Sequence, residues 1–293
     1  MSVSVVIPVY NKESTIEKSL LSVINQSIPV SEIILINDGS KDKSGKIIKL
    51  IVDNNPQINI KYVEQRNKGV SAARNLGIKL STCDYICFLD ADDIWDTNFN
   101  DYLVSLIEDF PEAGMYCLHH RVYKNNFTTT PKYGLPEKYR GYVDNFFKSS
   151  CVGSLAKTSK ICIRRSMFSD SNYLFPEGVV AGEDLYVWIK IALAAKVACE
   201  NKVVCTVIQE EDDSRGARIG STPYPLIYFA RKENKFDLTY SCKDYIALIG
   251  IKHVIADLIK FNIQNAFKRW CSIFRLSPIR AILPYYLYYV FLK

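Results

Sequence analysis

Four short apolar runs, rich in β-branched and aromatic residues, open this chain and alternate with stretches of helical period. Val3 to Tyr10, Glu32 to Asn37, Ile58 to Glu64 and Tyr85 to Leu89 read as strands, the first of them apolar on both parities as a fully buried strand is. Between the first two, Ile16, Leu20, Val23 and Ile24 fall on one helical face, behind Ser14-Thr15-Ile16-Glu17, the pattern of a capping box. An isoleucine-rich helix from about Asp42 to Val52 and a helix from Gly69 to Leu80, with alanines on its packing face, complete the alternation. Strands and helices in strict turn, with short connections, leave few topologies open. They require right-handed crossovers and a mostly parallel α/β sheet covered by helices.

In such a sheet the chemistry belongs at the carboxyl ends of the strands. The run Tyr85 to Leu89 ends abruptly in Asp90-Ala91-Asp92-Asp93. Strand side chains alternate between faces, so Asp90 and Asp92 point the same way if the extended form persists. Two carboxylates on one side repel unless a cation shares them, and Mg²⁺ or Mn²⁺ favours such oxygen ligands together with substrate phosphates. The plainer alternative is that Asp92 and Asp93 cap the next helix or sit in a solvated turn. Two further strand ends, Pro8-Val9-Tyr10-Asn11 and Asp38-Gly39-Ser40, are expected along the same edge. Asp38 can accept from a base N–H or a sugar hydroxyl, and Tyr10 can stack on a base. Gly69 begins a helix whose free N–H groups favour an anion, with Lys68 beside it. No G-x-G-x-x-G follows the first strand and no P-loop occurs, which argues against dinucleotide and P-loop chemistry.

Composition narrows the class without choosing a function. At 293 residues, 48% hydrophobic and 23% charged, the chain is that of an ordinary globular protein with a sizeable core. The nine cysteines are odd in number, lack CxxC spacing and lie mostly in apolar runs (Cys87, Cys117, Cys162, Cys205), so they read as reduced core residues in a cytosolic protein. The start has no basic n-region and runs straight into a strand, so no signal peptide is expected.

These motifs, taken together, resemble the inverting family-2 glycosyltransferases of GT-A fold. The residues that carry the resemblance are Val3 to Asn11, Glu13, Gln26, Asn37 to Ser40, Asn67 to Gly77, Asp90 to Asp93, and Gly182-Glu183-Asp184 followed by Trp188. The resemblance covers about residues 1 to 210. It implies a GT-A domain over 1–215, with a Rossmann-like nucleotide-sugar half (1–95) and an acceptor half (96–215); the residues beyond it, 216–293, read by their own pattern as a mobile loop plus helical C-terminal segment. It implies a nucleotide-sugar donor, Mn²⁺ or Mg²⁺, and a saccharide or lipid-linked saccharide acceptor, as in surface polysaccharide synthesis. By position, Pro8, Val9, Tyr10, Glu13, Asp38, Lys68 and Gly69 would hold the donor. Asp90 would reach the ribose, Asp92 would ligate the metal with Asp90 beside it, and Asp184 would be the general base, with Glu183 as the neighbour that shares its motif. Arg74 and Asn75 are expected to brace the third helix rather than touch ligand.

The chain departs from the family in one place. Val207 to Asp213 carries no histidine where many relatives have one after the acidic helix, and His119-His120, after the fifth strand, are read as structural or acceptor-side. Arg215 and Arg218 belong to an expected mobile loop whose arginines can close over a diphosphate. The region from Asp96 to Gly182 is rich in Tyr, Phe and Asn, suited to sugar faces and equally to plain core.

The whole net charge of +6 lies from Lys243 onward, where eight Lys and Arg meet two Asp. Ile246 to Phe274 has a helical pattern, and the 17-residue run Leu276 to Leu292 is interrupted by Pro278, Arg280 and Pro284. A spanning helix needs about 20 apolar residues, so this run is too short and too broken. A basic, tyrosine-rich, amphipathic piece fits an anionic membrane surface, and a helix pair packed on the catalytic domain fits as well. No nucleic-acid partner is expected. Two competing functions share some of these features: a phosphatase resembling the haloacid dehalogenases, whose motif would sit on the first strand, and a catalytically silent saccharide binder.

Overall fold

The computed structural model describes residues 1–209, 221–231 and 238–278. The first half follows the expected alternation: β1 (Val3–Val9), α1 (Ile16–Ile24), β2 (Glu32–Asn37), α2 (Ser44–Asp53), β3 (Ile60–Glu64), α3 (Val70–Leu80) and β4 (Tyr85–Phe88). After it come β5 (Ile94–Trp95), α4 (Phe99–Asp109), β6 (Ala113–Lys124), β7 (Phe127–Thr129), β8 (Arg140–Tyr142), α5 (Phe146–Ser150), β9 (Ile161–Arg164), α6 (Glu183–Ala194) and β10 (Lys196–Ile208). Three helices close the described chain: α7 (Tyr224–Phe229), α8 (Tyr240–Ile259) and α9 (Ile263–Leu276).

The strands form one sheet in the order β3-β2-β1-β4-β9-β6-β10-β5, with β7 and β8 pairing at its side. β3, β2, β1 and β4 run parallel, β9 is antiparallel to both neighbours, and β6 and β10 are again parallel. The chain therefore moves outward from β1 to β3 and then returns to place β4 on β1's other side. That reversal opens a crevice at the carboxyl ends of β1 and β4, where open α/β sheets bind their ligands.

Side-chain alternation on β1 explains the two-sided core. Val3, Val5, Ile7 and Val9 join Ile16, Leu20 and Phe99 on the face covered by α1, α2 and α4. Val6 points to the opposite face, which α3, α6 and the C-terminal helices cover. Gly77 on α3 faces Val6, and a Cβ there would lie 2.2 Å from Val6 Cγ1, so only glycine lets this helix approach so closely. On the same face Phe88 meets Phe175 and Trp188 with ring centroids 5.4 and 5.8 Å away, which ties α6 and the loop before it to the end of β4.

Several local expectations change. Helix α1 is capped at Thr15 with no side-chain cap bond, so the capping box from Ser14 does not form; the Thr15 hydroxyl instead donates to the Ala91 carbonyl at 2.9 Å. The helical pattern over Ile246 to Phe274 is two helices, beginning at Tyr240 and broken at Lys260 to Asn262. His119 and His120 lie inside β6 rather than after a strand. All nine cysteines are free and seven are buried, as their apolar settings required. No described helix is long and apolar enough to cross a membrane. The acidic run and loop over 210–220, with Arg215 and Arg218, and the tail over 279–293 lie outside the described residues.

Candidate active site

At the end of β4 the backbone turns at once: the Asp93 N–H donates to the Asp90 carbonyl at 2.9 Å. The extended form does not persist, so strand alternation is not what orients Asp90 and Asp92. The turn separates the three carboxylates by burial instead. Asp90 and Asp92 keep 35% and 31% of their side-chain surface in the crevice, whereas Asp93 is buried. Asp93 accepts the Ile208 N–H at 2.9 Å and the Ser159 hydroxyl, which stitches the turn to β10 and to the segment before β9. Burial, reinforced by the charges of Asp90 and Asp92, pushes its carboxyl up to about 8. Asp93 is a structural acid, and its two neighbours are the accessible ones.

Arg74 organises the rest. It projects from α3, is buried, and donates to Asp90 Oδ1 at 2.8 Å and to Glu183 Oε1 at 3.2 Å. Burial opposes its charge, yet Asp90, Glu183 and Asp184 together raise its pKa above the ordinary arginine value. The expectation that Arg74 braces a helix was half of the matter: it bridges the acids at the end of β4 to those at the start of α6. Asn75 braces as expected, exchanging hydrogen bonds of 2.9 Å with the Phe175 backbone.

Gly182 takes φ +77° and turns the chain into α6. The two acids that follow divide their roles. Glu183 is buried against Arg74, and its carboxyl is raised by burial first and then by Asp184. Asp184 is only partly covered; it accepts the Thr158 hydroxyl at 3.1 Å through Oδ2 and the Leu185 N–H at 2.7 Å through Oδ1. Ser159, next to Thr158, accepts the Asp90 N–H at 3.1 Å. One short buried turn, Thr158–Lys160, thus contacts both the Asp90–Asp93 loop and Asp184.

The remaining sequence-predicted residues gather at the ends of β1 and β2. Pro8 and Val9 are buried in β1, and Tyr10 emerges from it exposed. Glu13 accepts the Lys43 N–H at 2.8 Å and donates its own N–H to Asp42, fastening the β1 loop to the start of α2. Asp38 is buried and already holds three donors: Gln65 Nε2 at 2.7 Å, Lys68 N at 2.8 Å and Gly69 N at 2.8 Å. The free N–H groups expected at Lys68 and Gly69 are therefore engaged, because Asp38 supplies the anion for that turn itself. Gly69 has φ +90° and no heavy atom within 4 Å of where a Cβ would stand, so its open face remains accessible.

Lys12, unremarked in the sequence, places Nζ 2.6 Å from Asp92 Oδ2. A cation thus already sits against Asp92. Asp92 Oδ1 and Asp90 Oδ2 have no hydrogen-bond partner among the described residues and are hard oxygen donors of the kind Mg²⁺ and Mn²⁺ take. No cluster of three or more His, Cys, Asp or Glu among the described residues makes a closed cage. Two open carboxylates, with the other positions left to phosphate oxygens and water, fit such an ion. His119 and His120 are not part of it. Their rings pack on Tyr133, and burial, followed by the nearby Lys160 charge, lowers them to about 4 and about 2, so both are neutral.

Comparison with known proteins gives the family and the fold type. Residues 4–169 match the family described as "Glycosyl transferase family 2". The chain belongs to that family. An uncharacterized glycosyltransferase of Rickettsia bellii is 33% identical over 190 residues, covering 65% of this chain and 26% of its own length. The minor teichoic acid biosynthesis protein GgaB of Bacillus subtilis is 45% identical over 93 residues, 31% of this chain and 10% of its own. The chain spans between 26% and 36% of the length of the first four relatives. Among solved structures, Staphylococcus aureus TarS 1-349 with UDP-GlcNAc superposes with TM-score 0.75 at 18% identity, over 97% of this chain and 82% of that one. The mannosyltransferase PcManGT of Pyrobaculum calidifontis, solved with GDP-Man and Mn²⁺, gives TM-score 0.65 at 18% identity, over 95% and 76%. The fold is thus the GT-A type.

Proposed function

We propose that this chain is a glycosyltransferase that moves a sugar, with inversion and with help from Mn²⁺ or Mg²⁺, from a nucleoside-diphosphate sugar to a saccharide or lipid-linked saccharide. The observation that carries the reading is Arg74, which joins Asp90 at the end of β4 to Glu183, beside Asp184, at the start of α6. A single displacement needs a leaving-group side and a base side held at fixed separation, and a buried guanidinium shared by both provides it.

In this reading Pro8, Val9, Tyr10, Glu13, Asp38, Lys68 and Gly69 form the nucleoside side. Asp38 acts through the Gln65–Gly69 turn that it holds. Asp90 reaches the ribose, and Asp92 with Asp90 holds the divalent ion. The ion, when bound, neutralises the charge that gathers on the departing diphosphate, and Lys12 adds a second positive charge there. Asp184 takes the proton of the acceptor hydroxyl as the new bond forms. The Thr158 hydroxyl on one oxygen and the Leu185 N–H on the other fix the direction of its carboxylate. Glu183, buried and paired with Arg74, positions rather than reacts. The uridine donor is the first choice because TarS was solved with UDP-GlcNAc, and a surface polysaccharide acceptor because GgaB is a teichoic acid biosynthesis protein. Residues 1–215 form the catalytic unit.

A donor-hydrolysis screen across purified nucleotide sugars, with and without Mn²⁺, tests the proposal. The expected result is slow, Mn²⁺-dependent release of one nucleoside diphosphate. No metal-dependent nucleotide affinity and no release from any donor would make the chain a silent saccharide binder instead.

A further inference from the structure

The hairpin of α8 and α9 exposes surface that sugar transfer does not use. Its turn presents Leu258, Ile259, Phe261 and Ile263 to solvent, with Phe261 89% exposed. Phe261 also holds φ +56°, a left-handed conformation that bulky residues rarely adopt. Along α9, Phe267, Trp270 and Phe274 continue from Ile263 at spacings of four, three and four, which places them in one stripe. Their rings follow one another with centroids 6.3 and 5.6 Å apart. Ala266, Ile273 and Leu276 occupy a different side, buried against the protein.

Charge on the hairpin is one-sided. Lys252, Lys260, Lys268 and Arg275 are exposed. The hairpin's two carboxylates, Asp244 and Asp257, are buried, and Asp257 pairs with Arg269 at 2.7 Å. The solvent-facing surface of residues 240–278 therefore offers aromatic rings and cations, and no exposed carboxylate.

We infer that this hairpin docks the protein on an anionic lipid surface, the turn and aromatic stripe entering the headgroup–acyl boundary and Lys260, Lys268 and Arg275 lying among lipid phosphates. An aromatic stripe beside basic side chains is the pattern of an in-plane membrane helix. A second copy fits less well, since a two-fold interface would bring the same cations together. The docked hairpin reaches the active site through α7. Gly250 of α8 packs on Leu226 of α7, and Tyr224 and Tyr228 of α7 pack on Tyr186 of α6, two residues along the helix from Asp184. The base side would then lie near the membrane, where a lipid-linked acceptor waits. That last step rests on the proposed function; the docking does not.

The full chain carries its own reporter. Of its three tryptophans, Trp95 and Trp188 are 3% and 1% exposed, and Trp270 is 39% exposed. With vesicles containing phosphatidylglycerol and bromine-labelled acyl chains, the protein is expected to co-float at low salt and to lose fluorescence through Trp270. At about 0.5 M salt, where screening acts within a few ångström, flotation should fall. W270F should float without quenching, and the pair F261S and F267S should not float. K260E with K268E, which leaves the apolar stripe intact, should weaken vesicle affinity by roughly tenfold or more. Each variant should retain Mn²⁺-dependent UDP binding, which separates failure of docking from failure of the catalytic reading. No flotation with phosphatidylglycerol at low salt overturns the inference, as does flotation without quenching of Trp270. A concentration-dependent dimer abolished by F261S and F267S, without vesicle binding, assigns the surface to a second copy.

Discussion

Replacing Arg74 by methionine should cost more than almost any other single change near the site. Methionine keeps much of the length and apolar stem but removes the guanidinium held 2.8 Å from Asp90, 3.2 Å from Glu183 and 5.2 Å from the Phe175 ring centroid. Asp90 is about one-third exposed and can turn to water. Glu183 is buried beside Asp184 and cannot, so one carboxylate loses its counter-ion where water cannot replace it. Stranding one member of a buried pair costs about 3–5 kcal/mol. Most of that penalty belongs to the stranded charge, so Glu183→Gln added to Arg74→Met should recover about 1–3 kcal/mol. Urea unfolding at neutral pH reads both numbers from midpoints at constant m. Isothermal titration of UDP with Mn²⁺ should show weaker binding in Arg74→Met, because Asp90 loses its orientation. A single-variant loss below about 1 kcal/mol, or a double variant no more stable than the single, would refute the claim that Arg74 sustains a buried ion pair.

Asp92→Asn should abolish transfer and weaken Mn²⁺-dependent nucleotide binding, since an amide keeps one oxygen and loses the charge that holds a hard cation; titrations with and without Mn²⁺ that match the parent protein would count against the metal assignment. Glu32 is buried on β2, where burial would raise its carboxyl but donors from Lys61, Ser4 and Thr82 prevail and lower it from 4.5 to about 2. Its folded pKa lies below its unfolded one, so this contribution, about 3 kcal/mol, is complete above pH 4.5 and lost as the pH falls toward 2. The stability difference between parent and Glu32→Gln should therefore shrink over that window in urea titrations, and a constant difference would contradict it. Gly77→Ala would bring a Cβ to 2.2 Å from Val6 Cγ1 and should lower stability by about 1–3 kcal/mol, read as a drop in the unfolding midpoint; no drop would mean that α3 can lift off β1 freely.

How much of this was legible beforehand depends on the range of the interactions. The parallel core was readable because β1 to β4 and their helices follow one another, and each carries its own period. The strand ends named Tyr10, Asp38, Asp90 and Asp92 for the same reason. The orientation of Asp90 and Asp92 was not readable, since a turn begun by the Asp93 N–H replaces the extended strand. Thr158 and Ser159 carry no local signal at all. They reach Asp184 and Asp90 across 26 and 69 residues of chain, through a buried turn that only the assembled sheet positions. Arg74 was visible as part of a motif, but its partner Glu183 lies 109 residues away, so a bracing role was the natural expectation from one helix alone. Lys12 had a signal that could have been used: a lysine two residues beyond Tyr10, at an edge already crowded with carboxylates.

The central claim is that Asp184, on the partly exposed side of the acidic pair, is the general base, with Glu183 holding Arg74. Steady-state transfer by the parent chain, Asp184→Asn and Glu183→Gln, using the donor found by the hydrolysis screen, tests it directly. The account predicts that Asp184→Asn loses about 10²-fold or more in kcat with its UDP affinity in Mn²⁺ nearly unchanged. Glu183→Gln should retain more turnover than Asp184→Asn. An active Asp184→Asn beside a dead Glu183→Gln would contradict the account and move the base one residue back along α6.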